Sequence, residues 1–259
     1  VFGTPFSYVF LLYRDYQPVE IYEKDTIAES FFRDETGFML NLKYQFFGEH
    51  YLMAKSFISS YEQTLSGKTE EKPNRYFQVF LELDWTHHIR FVGKGVLLGL
   101  YYEKDFLSSD VRRSIAGAKS EIYLNPWGYH NLFFELNYYR AFEISKYFTP
   151  SLGQDATFYS AALRGYERGQ LRSDHAVSGT FEYRFPVMDV LSTTLVAAPF
   201  LDAALPTLDN GLSGPVHYTT GAALRFYFNE ILIPAVQIYA GYGWKYDNLS
   251  LGFMIGTRL

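Results

Sequence analysis

Residues 76–85 read Tyr-Phe-Gln-Val-Phe-Leu-Glu-Leu-Asp-Trp, and the alternation in this run limits the fold more than any other feature of the chain. Phe77, Val79, Leu81, Leu83 and Trp85 alternate with Tyr76, Gln78, Phe80, Glu82 and Asp84. A helix sends residues two apart to opposite faces, so such a run makes a poor helix and a good strand. The pattern recurs. Phe38, Leu40, Leu42, Tyr44 and Phe46 alternate with Asn41, Lys43 and Gln45. Leu132, Phe134, Leu136 and Tyr138 alternate with Glu135, Asn137 and Tyr139, and Phe181, Tyr183, Phe185 and Val187 with Thr180, Glu182 and Arg184. Aromatic residues make up 19% of the chain, with 23 Tyr and 24 Phe. No window approaches the roughly 18 apolar residues that mark a membrane helix. Abundant aromatics without a long apolar run fit strands that send one face to lipid and the other to a wet interior.

The spacing predicts strands at 3–13, 36–47, 51–62, 75–87, 92–104, 113–124, 129–143, 178–187, 190–202, 216–228, 232–243 and 248–258. The connections then alternate in length. Short ones fall at Gly48-Glu49-His50, 86–91, Asn125-Pro126-Trp127-Gly128, Met188-Asp189 and Asn229-Glu230-Ile231, and longer ones at 14–35, 63–74, 105–112, 144–177 and 203–215. The last connection, Lys245-Tyr246-Asp247, is short where a long one is due. Bacterial barrels have short periplasmic turns, long outer loops and an even strand number. The expected fold is therefore all-β: one transmembrane antiparallel barrel of about twelve strands over residues 1–259, with both termini periplasmic.

A soluble β-sandwich is the competing architecture. Lys43, Lys55, Glu82, Asp84, Glu121, Glu135, Glu182, Arg184, Asp202 and Arg225 all fall on the face opposite the aliphatic one. A barrel with lipid outside and a charge-paired lumen accommodates both faces. The formal net charge of −5 argues against a nucleic-acid partner. The absence of Cys excludes disulfides and thiolate chemistry. No signal peptide opens the chain, so a barrel reading implies that one is removed or that a domain precedes it. The last predicted strand carries Leu249, Leu251, Phe253, Ile255, Thr257 and Leu259 on one face, a partial version of the terminal stripe of many outer-membrane barrels.

Residues 163–169 read Leu-Arg-Gly-Tyr-Glu-Arg-Gly, and 178–187 read Ser-Gly-Thr-Phe-Glu-Tyr-Arg-Phe-Pro-Val. Phe200-Leu201-Asp202-Ala203-Ala204 follows. Together these resemble the signature of the BamA/TamA-type outer-membrane assembly superfamily, the bacterial surface antigen family. There an Arg-Gly-aromatic tripeptide tips a long loop that folds into the lumen. A Glu-x-Arg-Phe-Pro-like strand follows, then a Phe-x-Asp-x-Gly element, whose final Gly is Ala204 here. The resemblance spans residues 129–259. It implies an inward-folding loop at 144–177, a lumen motif of Arg164, Gly165 and Tyr166, and lumen partners Glu182, Arg184 and Asp202. The family's barrels have sixteen strands and POTRA domains, so this chain reads as a reduced member lacking POTRA domains. The implied role is assembly or translocation of outer-membrane proteins or lipids, with a seam between first and last strands where clients dock. The expected partners are outer-membrane lipids, client barrels, a periplasmic partner protein or a second copy of the chain.

Charge and geometry support the motif independently. An arginine entering a confined lumen needs anions, and Glu182 and Asp202 point inward from neighbouring strands. A guanidinium can grip carboxylates bidentately, so an Arg164–Asp202 or Arg164–Glu182 contact is expected. No catalytic residue, metal site or cofactor is expected. His50, His87, His88 and His130 read as turn residues, and Gly93, Gly95 and Gly99 as strand glycines facing a crowded lumen. A passive pore or structural barrel is the alternative function. An outer-membrane lipid hydrolase using Ser213 and His217 is a weaker one.

Overall fold

The computed structural model describes residues 5–23, 26–65, 68–89, 91–106, 112–144, 150, 152, 163–167, 170–190, 193–207, 214–228 and 236–255. They form one antiparallel sheet of 13 strands. The strands are β1 (Phe6–Glu23), β2 (Thr26–Phe47), β3 (His50–Leu65), β4 (Lys68–Asp84), β5 (His87–Ile89), β6 (Val92–Asp105), β7 (Arg113–Trp127), β8 (His130–Ile144), β9 (His175–Val190), β10 (Thr193–Thr207), β11 (His217–Phe228), β12 (Val236–Gly243) and β13 (Asn248–Ile255). Each long strand pairs with its sequence neighbours, and β5 is a short flap on β6. Twelve strands make the main path, as the alternation predicts. Among the described residues, β1 pairs only with β2 and β13 only with β12.

Two connections expected at 14–35 and 63–74 are instead continuations of strands. β1 runs to Glu23 and β2 starts at Thr26, with Arg14 paired to Thr36 and Glu20 to Ser30. β3 and β4 pair as far as Leu65 and Lys68. These stretches lack the alternating apolar row that marks the other strands, and backbone pairing extends the ladder without it. Asn125-Pro126-Trp127 also belongs to β7, which carries a register shift there, leaving Gly128-Tyr129 as the turn. Met188 and Asp189 lie in β9 rather than in a turn. The expected turn at Asn229-Glu230-Ile231 and the end of the C-terminal stripe lie outside the described residues.

The sheet is strongly curled. Neighbouring strands lie about 4.8 Å apart, so side chains two strands apart meet only where the sheet bends toward them. Asn131 on β8 donates to the Gly93 carbonyl on β6 at 2.6 Å. Phe91, just before β6, reaches Tyr227 on β11, with ring centroids 5.7 Å apart. At the β1–β4 end, Tyr13, Ser59 and Asn74 each donate to the buried Glu35 Oε1, at 2.9, 2.5 and 3.0 Å, from three different strands. Gly93 sits against the His88 and Tyr123 rings, where a Cβ would clash. Gly95 has φ 123° and meets the Trp85 carbonyl, whereas Gly99 has room for a methyl group, unlike its crowded expectation.

The two faces differ as the alternation requires. Leu40, Leu42, Leu52, Leu100, Leu136, Leu201, Leu224 and Leu251 are exposed on the convex face. The concave face holds the buried core: Phe80, Tyr101, Ile115 and Tyr139 of the wall, with Leu152, Leu163, Tyr166 and Leu171 of the segment between β8 and β9 packed on them. That segment fills the concave side at Leu163–Glu167.

Candidate functional site: an arginine brace on the concave wall

β9 and β10 lie side by side with Phe200 opposite Glu182 and Asp202 opposite Thr180. Strand parity turns Glu182 and Asp202 inward, and both are almost fully buried. Arg164 descends onto them from the segment between β8 and β9. Its Nε donates to Asp202 Oδ2 at 2.9 Å and its Nη2 to Oδ1 at 2.6 Å, a two-point grip on one carboxylate. Its Nη1 donates to Glu182 Oε1 at 2.6 Å, and its backbone N–H to Asp202 Oδ2 at 3.1 Å. The guanidinium lies 3.4 Å over the Phe200 ring. Thr180 adds a hydroxyl donor to Asp202 Oδ1 at 3.0 Å.

Glu182 is the hub. Arg225 on β11 donates to both of its oxygens, at 2.7 and 2.8 Å. Arg184 donates to its Oε2 at 2.8 Å and lies 4.1 Å over the Phe133 ring. Three guanidinium groups therefore surround one buried carboxylate, with Asp202 as the second anion. Removing any one partner would strand charge away from water.

The backbone of the motif is pressed flat on β12. A Cβ on Gly165 would come within 2.4 Å of the Gly243 nitrogen, and one on Gly241 within 2.7 Å of the Arg164 carbonyl oxygen. Only glycine permits that approach. The Gly165 N–H donates to Thr219 Oγ1 at 3.3 Å. Tyr166, fully buried, stands edge-on to His217 and Tyr246, with centroids 5.6 and 5.5 Å away.

The six residues of the expected lumen motif and its partners meet here. Arg164 contacts Glu182 and Asp202, Gly165 makes the close approach, Tyr166 packs on the wall, and Arg184 joins through Glu182. Sequence reasoning placed Arg225 inside but gave it no partner, and it missed Thr219, Gly241 and Gly243. The glycines at alternate positions 241 and 243, on the face shared with Tyr239, were the available signal. Of the other candidates, His217 is buried in the aromatic packing, with Nε2 3.4 Å from Lys245 Nζ. Ser213 lies outside the described residues. His50 Nδ1 accepts from the Asp84 N–H at 2.9 Å, and His130 pairs with the Tyr183 hydroxyl at 2.6 Å.

Solved structures share this architecture. BamA from Haemophilus ducreyi lacking POTRA domains 1-3 superposes with a TM-score of 0.67 at 12% identity, covering 96% of this chain and 62% of that one. CdiB from Escherichia coli superposes with a TM-score of 0.64 at 12% identity, covering 96% of this chain and 49% of that one. The fold is that of BamA and CdiB. The resemblance read from the motifs thus holds at the level of the fold, and this chain spans less than two thirds of either structure. No protein-family model matches the sequence, and no curated protein matches it.

Proposed function

We propose that the chain spans an outer membrane as a barrel with both termini periplasmic, and that it assembles or translocates membrane components at its β1 edge. The observation that carries this reading is the braced interior on a BamA-like wall: Arg164 fixes a plug against β9–β12, while the convex face stays aliphatic. A passive pore has no need of a plug locked by buried charge. The membrane assignment draws on the exposed Leu belt, bounded by exposed Trp85, Trp127 and Tyr129 near the short turns and by Trp244 and Tyr218 at the opposite end. Such aromatic rims suit the two bilayer interfaces.

β1 supplies the docking edge. Among the described residues its strand pairing is to β2 alone. An extended client can add there as a strand by main-chain hydrogen bonding. A photoreactive side chain placed at Val9 is expected to capture an outer-membrane barrel precursor supplied during insertion, whereas one at Leu136, far from the edge, is not. Equal labelling at both positions, or none together with steady ion conductance in planar bilayers, would instead establish a pore.

A further inference from the structure

We infer that the concave wall beside β1 carries a site for the phosphate headgroup of a lipid, formed by Lys43, Lys55 and Asn41. The inference rests on the membrane-spanning reading and names a class of molecule that the barrel handles. The register sets the three side chains together. Asn41 of β2 pairs with Lys55 of β3, and Lys43 with Met53, so the two lysines are diagonal neighbours on one face. Their Cβ atoms are then roughly 7–8 Å apart, a span that one phosphate can bridge.

What distinguishes these lysines is how their charge is met. Lys119, Arg164, Arg184 and Arg225, four other cations of the concave side, are each matched by a carboxylate within hydrogen-bond distance. Lys43 Nζ instead lies 3.8 Å over the Tyr51 ring, and Lys55 Nζ 5.2 Å over Phe80. Neither meets an acid among the described residues. Two carboxylates of β2 and β4 are otherwise placed. Glu35 is held by Tyr13, Ser59 and Asn74, and Glu82 lies opposite Tyr51. The buried side-chain oxygen of Asn41 also finds no donor among the described residues. Buried polar groups are ordinarily satisfied, so an unmet amide oxygen beside two half-buried ammonium groups calls for a ligand of complementary chemistry. Two ammonium groups and an amide that can both donate and accept suit a phosphate diester with its adjoining polar headgroup.

The surroundings favour a lipid as the source of that phosphate. Asn41 pairs with Val9 on its other side, and Met39 with Leu11. Val9 and Leu11 are 50% and 46% exposed on the concave face, while Phe10 and Leu12 are 60% and 74% exposed on the convex face. At Val9–Leu12 the β1 strand is thus apolar on both faces, and it lies between the membrane side and the lysine pair. An amphiphile straddling it lays its acyl chains over β1 and its headgroup on Lys43 and Lys55.

The test uses the full chain in detergent and palmitoyl-oleoyl phosphatidylglycerol as the probe, with retention read by native mass spectrometry. The double substitution K43Q/K55Q is expected to weaken retention about tenfold, the loss expected when charge-assisted contacts are removed. The control K94Q/K104Q, which removes the same charge from exposed positions, is expected to retain the lipid as the wild type does. In the wild type, a phosphatidylglycerol carrying a photoreactive group beside its phosphate is expected to label the peptides spanning residues 39–57. That readout holds even if the double variant folds poorly. Equal retention by K43Q/K55Q overturns the site. So does diacylglycerol with the same chains binding equally well, displacement by inorganic phosphate at matched concentration, or stronger competition by an acidic peptide. Flotation of the wild type with liposomes tests the membrane reading separately. Failure to float sinks that reading, while flotation with unchanged lipid retention sinks only the headgroup site.

Discussion

Glu182→Ala is expected to destabilise the folded protein by about 3–5 kcal/mol, the magnitude seen when one partner of a buried ion pair is removed. Three arginines converge on this side chain, from the loop, from β9 and from β11. Its loss leaves Arg184 and Arg225 without the carboxylate they share and Arg164 with Asp202 alone. Glu182→Gln keeps the shape and removes the charge, so it separates electrostatics from packing; it is expected to recover only a minor part of the loss. Urea unfolding of the reconstituted protein, followed by the gel mobility shift of folded barrels, reads the difference. A change below about 1 kcal/mol for Glu182→Ala would mean that water, rather than protein, compensates the cluster.

Gly165→Val has the second largest expected effect. The added side chain would occupy the space of backbone atoms, the Gly243 nitrogen and the Tyr242 carbonyl carbon, which cannot rotate away. Overpacking of this kind costs about 1–3 kcal/mol. Here it also lifts Arg164 from Asp202, because Arg164 directly precedes Gly165 in the chain. The expected result is a loop between β8 and β9 cleaved several-fold faster by added protease, with the wall still folded. Gly99→Ala is the control. Its new methyl would meet only Lys119 Cβ, at an ordinary 3.7 Å, and stability should stay within about 0.5 kcal/mol of the wild type. Equal protease resistance in Gly165→Val and the wild type would show that the motif does not need its close approach to β12.

The legible and illegible parts of this structure divide along physical lines. Period-two alternation reports a strand only where its two faces meet different media. The aliphatic-versus-polar segments of β2, β4, β8 and β9 were therefore readable, while the polar stretches 14–35 and 63–74 passed for loops. The meeting of Arg164 with Glu182 and Asp202 was readable because parity fixes which way a strand residue points and charge fixes what an enclosed arginine requires. The partner of Arg225 was not. It depends on how β9, β10 and β11 are staggered, and a register shift between Leu195 and Val196 alters that stagger. Gly241 and Gly243 were opaque for another reason. A glycine shows that something approaches closely but not what, and their neighbour comes from about 80 residues earlier in the chain. The unmatched Lys43 and Lys55 were assigned to the interior by parity. That they lack carboxylates became visible only once every neighbouring strand was in register.

The central claim is that Arg164 locks the loop to the wall through Asp202, and a double-mutant cycle measures that coupling directly. Arg164→Ala, Asp202→Ala and the double variant would be unfolded in urea from lipid vesicles beside the wild type. The account predicts a coupling energy of about 1.5–3 kcal/mol, in the range for residues sharing a buried charge network, with the double variant less destabilised than the sum of the single ones. Additive effects, within about 0.5 kcal/mol, would show that the two side chains do not act together and would contradict the brace.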